Sequence, residues 1–130
     1  MSDTSTTVAQ LKEAMRRFVS ERHWEPFHSP KNLVMGLAVE AAELMEHFLW
    51  VENEASRQIV NDPARLGEVA DEMADVACYL LALSHSLGID LSDAILAKLV
   101  KNAQKYPVEQ YQGRYRLEEG DSSAPGSLTK

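Results

Sequence analysis

Apolar residues recur every three to four positions over four long stretches of this chain, with polar residues between them; that is the helical period. The first stretch begins near Thr6 or Thr7, either of which suits an N-cap, and carries Val8, Leu11, Met15 and Phe18 on one stripe. It fades before Trp24-Glu25-Pro26-Phe27-His28-Ser29-Pro30, where two prolines and bulky rings mark an ordered loop. A second helix is predicted from about Lys31 to Val51, with Leu33, Leu37, Ala41, Leu44 and Phe48 facing inward. Asn53 to Asn61 is polar, with room for a short helical turn. Asp62-Pro63 then has the form of N-cap and N1 for a third helix that runs to about Leu87 and stops at Gly88. Its stripe reads Val69, Met73, Val76, Leu80, Leu83 and Leu87. A second strip, Ala70, Ala74, Ala77, Cys78 and Leu81, requires cover on another side, which in a chain of 130 residues points to a second subunit. Asp90 or Ser92 caps a fourth helix bearing Leu91, Ile95 and Leu99, which Tyr106-Pro107 ends. The expectation is an all-α fold, an antiparallel bundle of four main helices in one domain over 1–112. A polar, disordered tail follows over 113–130.

Two acidic pairs stand out against this pattern: Glu40-Ala-Ala-Glu43 on the second helix and Glu72-Met-Ala-Asp75 on the third. At i, i+3 spacing each pair projects from one side of its helix. Both pairs flank the apolar stripe in the same sense, so two helices packed about 8–10 Å apart bring them face to face. Unbalanced carboxylates do not gather in a bundle without a cation to neutralise them. All-oxygen ligands select Mg2+, with Mn2+ as a substitute, over zinc or copper. The plain alternative is two acidic faces in water, which is what most helical acids are. Glu46 falls on the far side of its helix and is left as a solvated charge.

On the fourth helix Lys98, Asn102 and Lys105 recur at i, i+4 and i+7, with Lys101 slightly aside. Carboxylates with metal on two helices and ammonium groups on a third make a clamp for a polyphosphate. For Lys101, favourable placement at a helix C-terminus is explanation enough. Trp24, His28, Trp50 and Tyr79 are candidates to stack on a planar ring, whereas Phe27 is expected to fill core. His47, one turn beyond Glu43, is within reach of a metal's outer shell, although packing accounts for most such histidines.

Charge narrows the partners. Twenty acids against thirteen bases give a net charge of −7, which argues against nucleic acid or an anionic membrane. A phosphorylated substrate is acceptable only where bound metal inverts the local field. The single cysteine, Cys78, cannot form a disulfide within one chain and reads as a small buried hydrophobe. The N-terminus lacks the features of a signal peptide and the longest apolar run, Val76 to Leu83, is too short to span a bilayer. A cytoplasmic protein is expected.

Taken together, these residues resemble the MazG-like, all-α nucleoside triphosphate pyrophosphatases, most closely the dCTP pyrophosphatase branch. The likeness rests on Glu21-Arg22-His23-Trp24-Glu25-Pro26-Phe27-His28, Pro30-Lys31-Asn32-Leu33, Glu40-x-x-Glu43 with Trp50, Glu72-x-x-Asp75-Val76 leading to Tyr79, and Lys98-x-x-x-Asn102-x-x-Lys105-Tyr106-Pro107. It covers about residues 8 to 115. The resemblance implies a homodimer or homotetramer with shared active sites that splits a deoxynucleoside triphosphate into monophosphate and pyrophosphate, in nucleotide-pool house-cleaning. It implies Glu40, Glu43, Glu72 and Asp75 as catalytic metal ligands, and Trp24, His28, Trp50 and Tyr79 around base and sugar. Lys98, Asn102, Lys105 and Tyr106 then address the phosphates, with Lys105 standing where relatives commonly carry arginine and so lacking the bidentate fork. Two rival readings exist. A non-catalytic helical module would bind nucleotide or protein without turnover. A di-iron carboxylate bundle wants Glu-x-x-His, which neither His47 nor His85 completes.

Overall fold

The computed structural model describes residues 1–117, and those residues form six α-helices and no strand. They are α1 (Val8–Glu21), α2 (Pro30–Glu46), α3 (Asn53–Arg57), α4 (Pro63–Ser86), α5 (Leu91–Lys105) and α6 (Val108–Tyr111), with 3₁₀ turns at Glu25–Phe27 and Gln58–Asn61. The all-α class follows the periodicity. The predicted tail lies outside the described residues from position 118 onward. No single described helix is long and apolar enough to cross a membrane. The chain divides into two compact units, Met1–Leu91 and the residues from Ser92 onward.

Local chemistry sets the starts of α1, α2 and α4. Thr7 and Gln10 form a capping box: Gln10 N–H donates to Thr7 Oγ1 (3.2 Å) and Thr7 N–H to Gln10 Oε1 (2.7 Å). Ser29 Oγ and Asp62 Oδ1 accept from Asn32 and Arg65 N–H, each followed by proline at the first helical position. α4 ends as expected: Gly88, at φ 65°, closes the turn as Ile89 N–H donates back to Ser84 O.

α1 and α2 both pack on α4. Val19, Leu33, Val69 and Leu81, with Ile59 from the second 3₁₀ turn, form the buried core, and Leu33 is only 2% exposed. Three expectations need correcting. α2 stops at Glu46 rather than Val51: Phe48 N–H donates to Met45 O and Val51 N–H to Phe48 O in tighter turns, and the His47 carbonyl accepts from Arg65 Nη2 of α4 (3.2 Å). Phe27 does not fill core and is 67% exposed. On α4, Met73, Leu80 and Leu87 point outward, Met73 being 57% exposed, while Glu72, Val76, Tyr79 and Leu83 are partly covered. α2 docks along the strip that carries the carboxylates, so part of the purely apolar side of α4 is left outside.

In the second unit α5 ends where Tyr106 N–H donates to Asn102 O (2.8 Å). Pro107 then opens the short α6, which the periodicity did not reveal, and the Tyr106 and Tyr111 rings meet edge-on at 5.2 Å.

Candidate active site

The antiparallel register of α2 on α4 is legible in a series of opposed residues. Gly36 lies against Tyr79, Glu40 feels the charge of Asp75, Glu43 and Glu72 bring carboxylate oxygens within 4.8 Å, and His47 faces Glu68. Each step toward the C-terminus of α2 is matched by one toward the N-terminus of α4. Gly36 is needed for the close approach: a Cβ there would meet Cε1, Cζ and Cδ1 of Tyr79, all inside 3.0 Å.

This register brings Glu40, Glu43 and Glu72 together, with one carboxylate oxygen of each within 4.8 Å of the others. Burial raises the pKa of both Glu40 and Glu72, and neighbouring charges add to it: Glu43 and Asp75 for both, and Glu72 also for Glu40. Glu72 Oε2 is buried and has no hydrogen-bond partner. A convergent set of oxygen donors, raised proton affinity and an orphaned carboxylate oxygen all fit a hard divalent cation. Asp75 stands outside the group of three but close enough to act on Glu40 and Glu72 electrostatically.

Glu40 and Asp75 also line a cavity of about 550 Å³. Its walls include Trp24, His28 and Tyr79, with Leu11 and Phe18 from α1. The Trp24 ring stands edge-on to Phe18 at 5.9 Å and lies 6.4 Å from His28, and the Arg22 guanidinium sits 3.6 Å from the Phe18 centroid. Leu11 and Phe18, expected as core stripe, are partly exposed and line this space. Neither carries a polar or motif signal, because lining and core share one helical period. Cys78 lines it too, and burial followed by the charge of Asp75 pushes its thiol pKa up, which makes it a poor nucleophile.

Not every expected residue of the first unit lines this cavity. Trp50 is 96% exposed in the turn after α2 and does not line it. Lys98, Asn102 and Lys105 share a flank of α5 in the second unit, and the Lys105 ammonium lies 5.3 Å from the Tyr106 ring centroid.

A model of the MazG-like family matches residues 36–116. The chain belongs to the MazG-like family. The MazG-like match takes in all four acids and starts after Trp24 and His28. Among curated MazG-like relatives, dCTP pyrophosphatase 1 of Bos taurus is 34% identical over 107 residues, 82% of this chain and 63% of that protein. The Homo sapiens protein of the same name is 34% identical over 101 residues, 78% of this chain and 59% of that protein. The chain thus spans under two thirds of the length of these relatives. A crystal structure of a pyrophosphatase from Archaeoglobus fulgidus matches with a TM-score of 0.70 at 34% identity, covering 82% of this chain and 98% of that one.

Proposed function

We propose that this MazG-like chain hydrolyses a nucleoside triphosphate, dCTP or a 5-modified dCTP, to the monophosphate and pyrophosphate. One observation carries the reading: a cluster of convergent acids, Glu40 and Glu72 among them with raised proton affinity, borders a ring-lined cavity of small-molecule size. The names of the curated relatives support cytosine as the base.

Trp24, His28 and Tyr79 receive base and sugar, and Trp50 takes part from its exposed turn. Glu40, Glu43, Glu72 and Asp75 hold Mg2+, with Mn2+ as a substitute. A bound divalent cation supplies the charge compensation and Lewis acidity that phosphoryl transfer requires. A carboxylate oxygen of the cluster takes the proton released as water adds at the α-phosphorus, a role that raised proton affinity favours. Lys98, Asn102, Lys105 and Tyr106 address the phosphates and stabilise the leaving pyrophosphate. The active form is a cytoplasmic homodimer or homotetramer with shared sites, and a net charge of −7 argues against nucleic acid as partner.

Pyrophosphate release measured across all deoxy- and ribonucleoside triphosphates tests this. Release should require Mg2+, stop with a chelator and return on adding the cation. Glu40→Gln and Asp75→Asn should each lower turnover by about 100-fold or more, since even outer-shell partners of a metal cost about 10–100-fold. Their far-UV circular dichroism should not change. Near-normal turnover by Glu40→Gln in saturating Mg2+ would refute its place in the site.

A further inference from the structure

We infer that His47 is a positioning residue of the carboxylate site, its ring held between Glu68 and Glu72 and its carbonyl fixed by Arg65. The inference rests on the cluster being a divalent-cation site, and neither His47 nor Glu68 belongs to the four-acid pattern.

Three residues of α4 converge on His47, the residue that follows α2. Arg65, Glu68 and Glu72 fall at i, i+3 and i+7, which is a single helix face. Arg65 Nη2 donates to His47 O at 3.2 Å, just past the end of α2 at Glu46. The ring is then bracketed: Nδ1 lies 3.9 Å from Glu68 Oε2, and Nε2 lies 3.9 Å from Glu72 Oε1. The His47 side chain is only 23% exposed, so it is packed into this bracket rather than loose in solvent.

The consequence falls on Glu72. Its Oε1 faces His47, while its Oε2 is buried without a hydrogen-bond partner and is free to meet a cation. Restraining the first oxygen orients the second, which is how an outer-shell group prepares a metal ligand. At 3.9 Å both contacts are longer than a hydrogen bond, and a small rotation of the ring closes the one to Glu72 when Nε2 carries a proton. Glu68 in turn fixes the rotation of the ring. Its own carboxylate is largely exposed, so it acts through His47.

Mn2+ binding followed by electron paramagnetic resonance on the nucleotide-free chain tests the inference without recourse to turnover. His47→Asn keeps a donor near the Nδ1 position and loses the one facing Glu72, whereas His47→Gln does the reverse. Asn should weaken Mn2+ binding by about 10-fold, and Gln should stay within about threefold of the unaltered chain. Glu68→Ala, a change at an exposed side chain that does not endanger folding, should cost less than Asn. It should cost nothing further in the Asn background. Equal binding by Asn and the unaltered chain overturns the inference while leaving the cation site intact, and so does a loss with Gln as large as with Asn. No Mn2+ binding by the unaltered chain overturns both.

Discussion

Glu40 and Glu72 bind protons more tightly in the folded chain than they do unfolded, because burial and the charges of Glu43 and Asp75 disfavour their ionised forms. The stability they contribute is therefore fully present below the ordinary carboxyl value of 4.5 and is lost as pH rises through their raised folded values. Glu13 works in the opposite sense. Its hydrogen bond with Arg16 lowers its pKa, so its contribution is present above 4.5 and lost as pH falls. Comparison with Glu72→Gln separates the two. In metal-free buffer Glu72→Gln should melt higher than the unaltered chain at pH 7, with the gap closing toward pH 4.5. Added Mg2+ should reverse the order, because only the unaltered chain keeps all its ligands. Thermal melts that run parallel across this range would remove the electrostatic argument. At Gly36 the relevant force is steric: Gly36→Ala must push Tyr79 off α2, at a cost of about 1–3 kcal/mol for overpacking. The same change should perturb the near-ultraviolet circular dichroism of the cavity.

Two helices of the first unit end in the same motif with different residues at its key position. α4 uses Gly88 at φ 65°, and α1 uses His23 at φ 52°, with His23 N–H donating to Ser20 O and Trp24 N–H to Val19 O. A left-handed conformation costs a side-chain-bearing residue about 1–2 kcal/mol. Part of that cost is offset in His23→Gly by the extra freedom of glycine in the unfolded chain, so the variant should gain about 1 kcal/mol, read from chemical denaturation. No gain would show that the His23 side chain repays its strain elsewhere. The contrast also explains what could be read beforehand. Gly88 and Asp62-Pro63 announced the bounds of α4 because their chemistry is local. The end of α1 carried no glycine, and α2 ends in tight turns that no glycine or proline marks, beside a contact of His47 with Arg65, eighteen residues away in the chain. The carboxylates were legible for a related reason: i, i+3 acids beside an apolar stripe meet whenever two such helices pack. The part of Phe18 and Leu11 in the cavity was not, since an apolar residue facing a ligand and one facing core look alike.

At the scale of the molecule, the first unit has too few helices to cover its own apolar surface. Val34, Met35, Val39 and Met45 of α2, Leu49 of the turn after it and Met73 of α4 are each half exposed or more. Isolated exposed apolar residues need no explanation, but five within sixteen positions of one helix and the turn after it form a continuous band. Burying such a band gains about 25 cal/mol per Å² of apolar area, and the simplest partner is the same band on a second copy, related by a twofold axis. Sedimentation or light scattering should give a dimer or tetramer at micromolar concentration. Met45→Glu places a charge in the band on the side of α2 away from Leu33 and Leu44, so it should shift the chain toward monomer and lower its melting temperature by several degrees. Turnover should fall with the loss of the oligomer if sites are shared, and recover with rising protein concentration. A monomeric unaltered chain that is fully active would show that the band serves another partner and that one copy builds the whole site.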